Sequence, residues 1–221
     1  MKKARNLLVP IMVFLFGAAF AAVPRNAQAL ALRLTDGINS VESSGTGFAY
    51  YVGSLGEWII NVTTGVTGTF GAPVIDLNSI NVTSDNPGNL TISLSQNDYT
   101  GPLDGSFLLS LGGVTGGTTT FSAYLDSSNT LFGTSYLLGS FGPLSGAFSG
   151  ILNSLATSPG PYALTLVANI SHPQTSSAWS IVGTSFNFEA KLPEPASIIL
   201  LGSGLVLLGI VGWKRKAVEK S

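Results

Sequence analysis

Between residues 30 and 191 the chain exchanges apolar and polar side chains at every second position, again and again, which is the mark of half-buried β-strands. In Trp58–Phe70 the set Trp58, Ile60, Val62, Thr64, Val66, Gly68 and Phe70 shares one side. Asn61, Thr63, Gly65, Thr67 and Thr69 share the other. Leu90–Ser95 alternates apolar with hydroxyl residues, Leu164, Leu166, Ala168 and Ile170 form a third apolar face, and Phe186, Phe188 and Ala190 a fourth. Shorter runs predict strands at Phe48–Val52, Ser79–Thr83, Ser106–Leu111, Thr118–Leu125 and Leu131–Leu138. Turn chemistry punctuates them at Asp85–Asn89, Gly112-Gly113, Asp126–Asn129 and Ser158–Pro161. Short strands at this spacing, with no strong amphipathic helix, predict an all-β fold: an antiparallel β-sandwich or jelly-roll-like body. Gly146–Ala156 fits two readings. Phe148, Ile151, Leu152 and Leu155 have helical spacing, while Gly146 and Gly150 weaken a helix.

The two ends follow different rules. Lys2, Lys3 and Arg5 precede an uncharged apolar stretch, Leu7–Val23, and Ala27-Gln28-Ala29 supplies the small-x-small pattern that a signal peptidase cuts. Residues 1–29 are therefore expected to be a signal-peptide helix that the Sec export machinery reads and signal peptidase removes. At the other end Pro193-Glu194-Pro195 precedes a charge-free run from Ala196 to Trp213, and Lys214, Arg215 and Lys216 follow at once. Eighteen helical residues reach about 27 Å at ~1.5 Å each, just enough for a hydrocarbon core. The basic cluster sets the cytoplasmic side, so residues 30–191 are expected outside the membrane. The expected organisation is a leader at 1–29, a β-body at 30–191 and a tail at 192–221, with a transmembrane helix at 196–213 and a basic segment at 214–221.

The tail resembles the PEP-CTERM sorting signal of Gram-negative bacteria. The resemblance rests on Pro193, Glu194 and Pro195, on the glycine-bearing span (Gly202, Gly204, Gly209, Gly212) and on the Lys214-Arg215-Lys216 stop, in the family's order. It covers only the tail. It implies transient residence in the inner membrane and recognition by an exosortase, a membrane-embedded cysteine transpeptidase that cleaves near the triplet. It also implies delivery to the cell surface or to an exopolysaccharide matrix.

Setting the ends aside changes the meaning of the composition. Of ten basic residues only Arg33 and Lys191 lie in the body, against nine carboxylates, a balance of −7. Two cations cannot build a surface for a phosphate backbone, so nucleic acid is excluded as a partner. There are no cysteines, hence no disulfides and no thiolate metal site.

Candidate chemistry is sparse. The only histidine, His172, is followed by a proline, has no nucleophile elbow to serve and is expected in a solvated turn. Paired acids could hydrolyse glycosides, and Asp98 and Asp104 flank Tyr99 while Glu57 adjoins Trp58. Their spacing along the chain says nothing about their separation in space. Asp85-Asn86, Asn97-Asp98 and Asp126–Asn129 are oxygen-rich in the manner of calcium loops, but none has the EF-hand pattern and no cofactor is assigned. Aromatics on a sandwich surface can stack on sugar rings. Trp58 falls on a core face, which leaves Trp179 as the leading sugar-stacking residue, with Tyr50, Tyr51, Tyr99, Tyr124, Tyr136 and Tyr162 behind it. The sequence thus reads as an exported, non-enzymatic surface or matrix protein. The alternative is a carbohydrate-binding or adhesive module on the same body, with extracellular polysaccharide as partner, and a secreted glycan hydrolase stands third.

Overall fold

A computed structural model describes residues 30–63, 74–99, 103–173 and 182–191. They form ten strands: β1 (Leu30–Thr35), β2 (Ser40–Gly45), β3 (Tyr50–Leu55), β4 (Trp58–Thr63), β5 (Val74–Ser84), β6 (Gly88–Tyr99), β7 (Leu103–Asp126), β8 (Tyr136–Ser158), β9 (Tyr162–His172) and β10 (Val182–Lys191). Every pairing is antiparallel. The order β2-β1-β6-β9-β7-β10-β5-β4-β3 makes one continuous sheet, with β8 along the free side of β7. Among the described residues no helix is long and apolar enough to cross a membrane. The leader and tail expected from the sequence, including Ala27, Ala29, Pro193, Glu194, Pro195, Lys214, Arg215 and Lys216, lie outside the described residues, as does Trp179.

The sheet becomes two layers because β7 serves both. Its first half, Leu108–Thr115, pairs with β10, and its second half, Thr118–Asp126, pairs with β9. The crossing falls at Gly116-Gly117. A side chain at Gly117 would run into the Ser171 carbonyl, so only glycine lets β7 pass this close to β9. One layer is therefore β3-β4-β5-β10-β7, the other β7-β9-β6-β1-β2, and β8 edges both. The layers also touch at β2 and β3, so the sheet nearly closes on itself.

The core between the layers holds the apolar faces that the alternation predicts. Trp58, Ile60 and Val62, Leu90, Ile92 and Leu94, Leu164, Leu166, Ala168 and Ile170, and Phe186, Phe188 and Ala190 are all buried. At its centre Phe121 meets Phe186 at 4.8 Å, Phe188 at 5.4 Å and Phe148 at 5.5 Å between ring centroids. On β5 the pairing with β10 shifts between Leu77 and Ile80, where Ser79 takes φ 55°. This β-bulge inserts one residue so that Leu77 and Ile80 both reach the core.

Leu30–Thr35 and Ser40–Gly45 are strands where the sequence reading placed none, the strand expected at Phe48–Val52 runs from Tyr50 to Leu55, and three further readings change. Gly112-Gly113 is no turn but lies inside β7, because a Cβ at Gly113 would strike the backbone of Ser185 and Phe186 on β10. Gly146–Ala156 is strand, part of β8, since β7 supplies a continuous backbone partner for it. Leu131–Ser135 precedes β8 instead of belonging to it, held in a loop that folds across a sheet face.

Candidate functional site

The two outer faces of the sandwich are built differently. On the β9-β6-β1 layer, the loop between β7 and β8 lies across the face. Asp126 organises that loop: its carboxylate accepts from the Thr130 amide at 2.9 Å and the Ser135 hydroxyl at 2.7 Å. Burial pushes the Asp126 carboxyl up, yet these hydrogen bonds together hold it below the ordinary range. Farther along, the Phe132 amide donates to Ser95 Oγ at 2.8 Å, and the Arg33 guanidinium lies 3.8 Å from the centre of the Phe132 ring. Asn129 clasps Asp98, accepting from its amide at 2.8 Å and donating to its carboxylate at 2.7 Å. Two of the three oxygen-rich segments, Asn97-Asp98 and Asp126–Asn129, thus meet, while Asp85-Asn86 stands at the opposite pole, where Asn86 bonds Glu57 at 2.8 Å. Among the described residues no three acidic or histidine side chains cluster as a metal site would require.

Among the described residues, none lies in this way across the outer face of the β3-β4-β5-β10-β7-β8 layer. Strand registers align Val52, Asn61, Asn81, Ser185, Val114 and Ala147 into one row across six strands, and all six are exposed. At ~4.8 Å per strand the row is about 24 Å long. Its β3 end carries Phe48 and Tyr50, 60% and 58% exposed, with rings stacked at 6.2 Å and only 18° apart. Exposed Val52 follows two residues on along the same face of β3, and exposed Ile59 stands opposite Ser54 on β4. Toward β8 the face sinks into a shallow groove of about 380 Å³, lined by Ser110, Gly112, Ser149, Ile151, Asn187 and Glu189 among others. Gly112 keeps its floor open: a Cβ there would meet only the Phe148 carbonyl, 4.0 Å away.

Two carboxylates stand side by side at the groove. Asp76 on β5 pairs with Glu189 on β10, an unfavourable direct opposition of like charges. Burial and the Glu189 charge raise Asp76 to about 6, and its Oδ1 is buried without a partner. Glu189 accepts from Ser110 Oγ at 3.2 Å and is bridged by Lys191 at 3.4 Å. Nothing along the chain signals this pair, because 113 positions separate residues that only the β5–β10 pairing brings together.

His172 corrects the sequence reading. It is 2% exposed, not solvated, with its ring 4.5 Å from Trp58 and Nε2 2.9 Å from Thr184 Oγ1. Thr184 in turn shares a 2.6 Å hydrogen bond with Thr115, beside the β7 crossing. Burial pushes the imidazole down to about 4, so it is neutral at physiological pH. Trp58 is core, as expected. Of the tyrosines, Tyr99 and Tyr162 are buried in a 5.5 Å stack, Tyr51 and Tyr124 are half-buried, and Tyr50 and Tyr136 are exposed. The Tyr136 hydroxyl donates to the Leu155 carbonyl at 3.3 Å and so joins the two ends of β8. Tyr50 is among the aromatics the sequence offers for sugar stacking, but Phe48, which completes the platform, is not. Its strand was evident, but nothing in the pattern says that this apolar face points outward.

No protein-family model and no curated protein matches the chain. Among solved structures, similarity is found to TmCBM61 in complex with β-1,4-galactotriose at 6% identity and TM-score 0.35, covering 62% of this chain and 88% of that one. A xylan-binding domain from CBM 22 matches at 15% identity and TM-score 0.30, covering 65% and 92%. Infectious bursal disease virus (Gt strain) matches at 13% identity and TM-score 0.35, covering 78% and 52%. Likenesses this distant assign neither ligand nor activity to this chain.

Proposed function

We propose that this is an exported, non-enzymatic polysaccharide-binding protein of the cell surface or exopolysaccharide matrix, with a jelly-roll-like body. The observation that carries the reading is the stacked, exposed Phe48–Tyr50 pair at the end of a six-strand row of exposed short side chains. A sugar ring offers an apolar face and a rim of hydroxyls. Flat rings match the first, and Asn61, Asn81 and Ser185 supply donors and acceptors for the second. The row is open at the groove end, which suits a chain lying along the face. In the same proposal the leader exports the protein, and an exosortase-like enzyme processes it near Pro193-Glu194-Pro195 while residues 196–213 hold it in the inner membrane.

Catalysis is not part of the proposal.

Retention of the exported protein on immobilised glycans tests the binding. Phe48→Ala with Tyr50→Ala should weaken it by about tenfold or more, since aromatic stacking contributes about 0.5–1.5 kcal/mol per ring beyond its area. Undiminished retention would end the reading. Intact-mass analysis tests processing, and a mature chain that still contains Trp213 in cells with an exosortase would refute it.

A further inference from the structure

We infer that the glycan taken by the β3-to-β8 face is an uncharged one, so that polyuronates and sulfated chains are refused. This rests on the polysaccharide reading and adds the ligand class to it. The row itself is neutral: Val52, Asn61, Asn81, Ser185, Val114 and Ala147, with Phe48 and Tyr50 at its end. At the groove stand two acids paired across β5 and β10, Asp76 and Glu189, with Lys191 bonded to the second at 3.4 Å. An anionic sugar would need a cation to replace its water, because an ionised carboxylate loses far more on desolvation than a hydroxyl does.

The described residues contain two such cations, and each is already paired with a carboxylate. Lys191 is held by Glu189 at 3.4 Å. Arg33 belongs to the other layer, bonded to Glu42 at 3.1 Å and stacked over Phe132. The repulsion a second anion would meet is already felt by Asp76, whose carboxyl is pushed up to about 6 by burial together with Glu189. The remaining acids of the body, with a balance of −7, extend the same field beyond the face. Neutral amide and hydroxyl groups can exchange hydrogen bonds with sugar hydroxyls without any of this penalty.

The test uses the full exported protein and a panel of neutral glucans and galactans, each paired with a derivative oxidised to the carboxylate at C6. The members of a pair share linkage and shape and differ in charge. Retention of a neutral polymer should change little with salt. Its carboxylated partner should bind about tenfold or more weakly at low ionic strength, with the gap narrowing as salt shortens the Debye length. Glu189→Gln should narrow the gap further, because it removes one anion and frees Lys191. Equal or tighter binding of the carboxylated partner overturns the inference and leaves the polysaccharide reading standing. So does retention of polygalacturonate when no neutral polymer is retained. Retention of no glycan at all overturns the polysaccharide reading itself, and this inference with it.

Discussion

The two outer faces are made from the same alternation, yet among the described residues only one of them is covered by a loop. On the β9-β6-β1 face, the Asp126 loop covers Ser95 and brings Phe132 over Arg33, and the polar groups there are engaged with one another. The β3-to-β8 face leaves Phe48, Tyr50, Val52, Ile59, Val114 and Ile151 between 52% and 74% exposed. Phe48, Tyr50 and Val52 lie together at its β3 end, and an exposed apolar cluster adds nothing to the core and marks a surface for contact. The covered face explains how the body holds together. The bare face is where its function is to be sought.

That contrast can be broken first at the layer both faces share. Phe121 touches Phe148, Phe186 and Phe188, so Phe121→Ala should cost about 3–5 kcal/mol in urea unfolding and destabilise both layers at once. A loss under about 1 kcal/mol would mean that the layers are not packed on this cluster. Next comes the covered face. Asp126→Ala removes the acceptor for two hydrogen bonds and should cost about 1–3 kcal/mol, with the Arg33–Phe132 contact loosened and glycan retention kept. Because the Asp126 pKa is depressed, this stability is present above the ordinary carboxylate pKa and fades as acid protonates the group. The variant should accordingly lose the acid-limb sensitivity that the parent shows.

A finer comparison sets Asp76 on the bare face against His172 in the interior. Asp76 is raised from 3.8 to about 6, so its contribution to stability is complete below 3.8 and is lost as pH rises through 6. His172 is lowered from 6.5 to about 4, so its contribution is complete above 6.5 and is lost as pH falls through 4. The two slopes oppose each other in nearly the same window, and the parent should show a flat melting temperature between pH 4 and 6.5. Asp76→Asn should expose the histidine slope, with melting falling on acidification. At pH 7 the same variant should gain about 0.2–1 kcal/mol from relief of the opposed Glu189 charge. His172→Gln should show the reverse slope. Identical pH profiles for all three proteins would remove both assignments.

How much of this was legible follows from what alternation encodes. It encodes which side of a strand is apolar, and so Trp58, Ile92, Leu166 and Phe188 could be placed in the core from sequence. It does not encode whether an apolar side faces in or out, which depends on the partner layer. Phe48, Tyr50 and Val52 alternate as a core face would, yet they point outward. Gly112-Gly113 reads as a turn because glycine serves both turns and close approach. Only the position of Phe186 across β10 decides between the two. His172-Pro173 reads as a solvated turn, but the strand runs on through His172, and pairing with Gly88 draws its ring against Trp58. The row from Val52 to Ala147 could not be seen, since two of its five pairings, β5–β10 and β10–β7, join strands far apart in the sequence.

The smallest expected effect is the sharpest. Phe48 and Tyr50 are as apolar as the residues beneath them, and in a core their loss would be severe. Here their rings are mostly solvated and touch chiefly each other. Replacing both by serine should therefore shift stability by no more than about 0.5 kcal/mol, the range of ordinary surface changes, while glycan retention falls. Trp58, eight positions beyond Tyr50 and 2% exposed, supplies the control, since its replacement should cost about 3–5 kcal/mol. If the Phe48/Tyr50 variant unfolds as easily as a Trp58 variant, the pair is part of the core. The bare face then loses its distinguishing feature, and with it the reason to look for a ligand there.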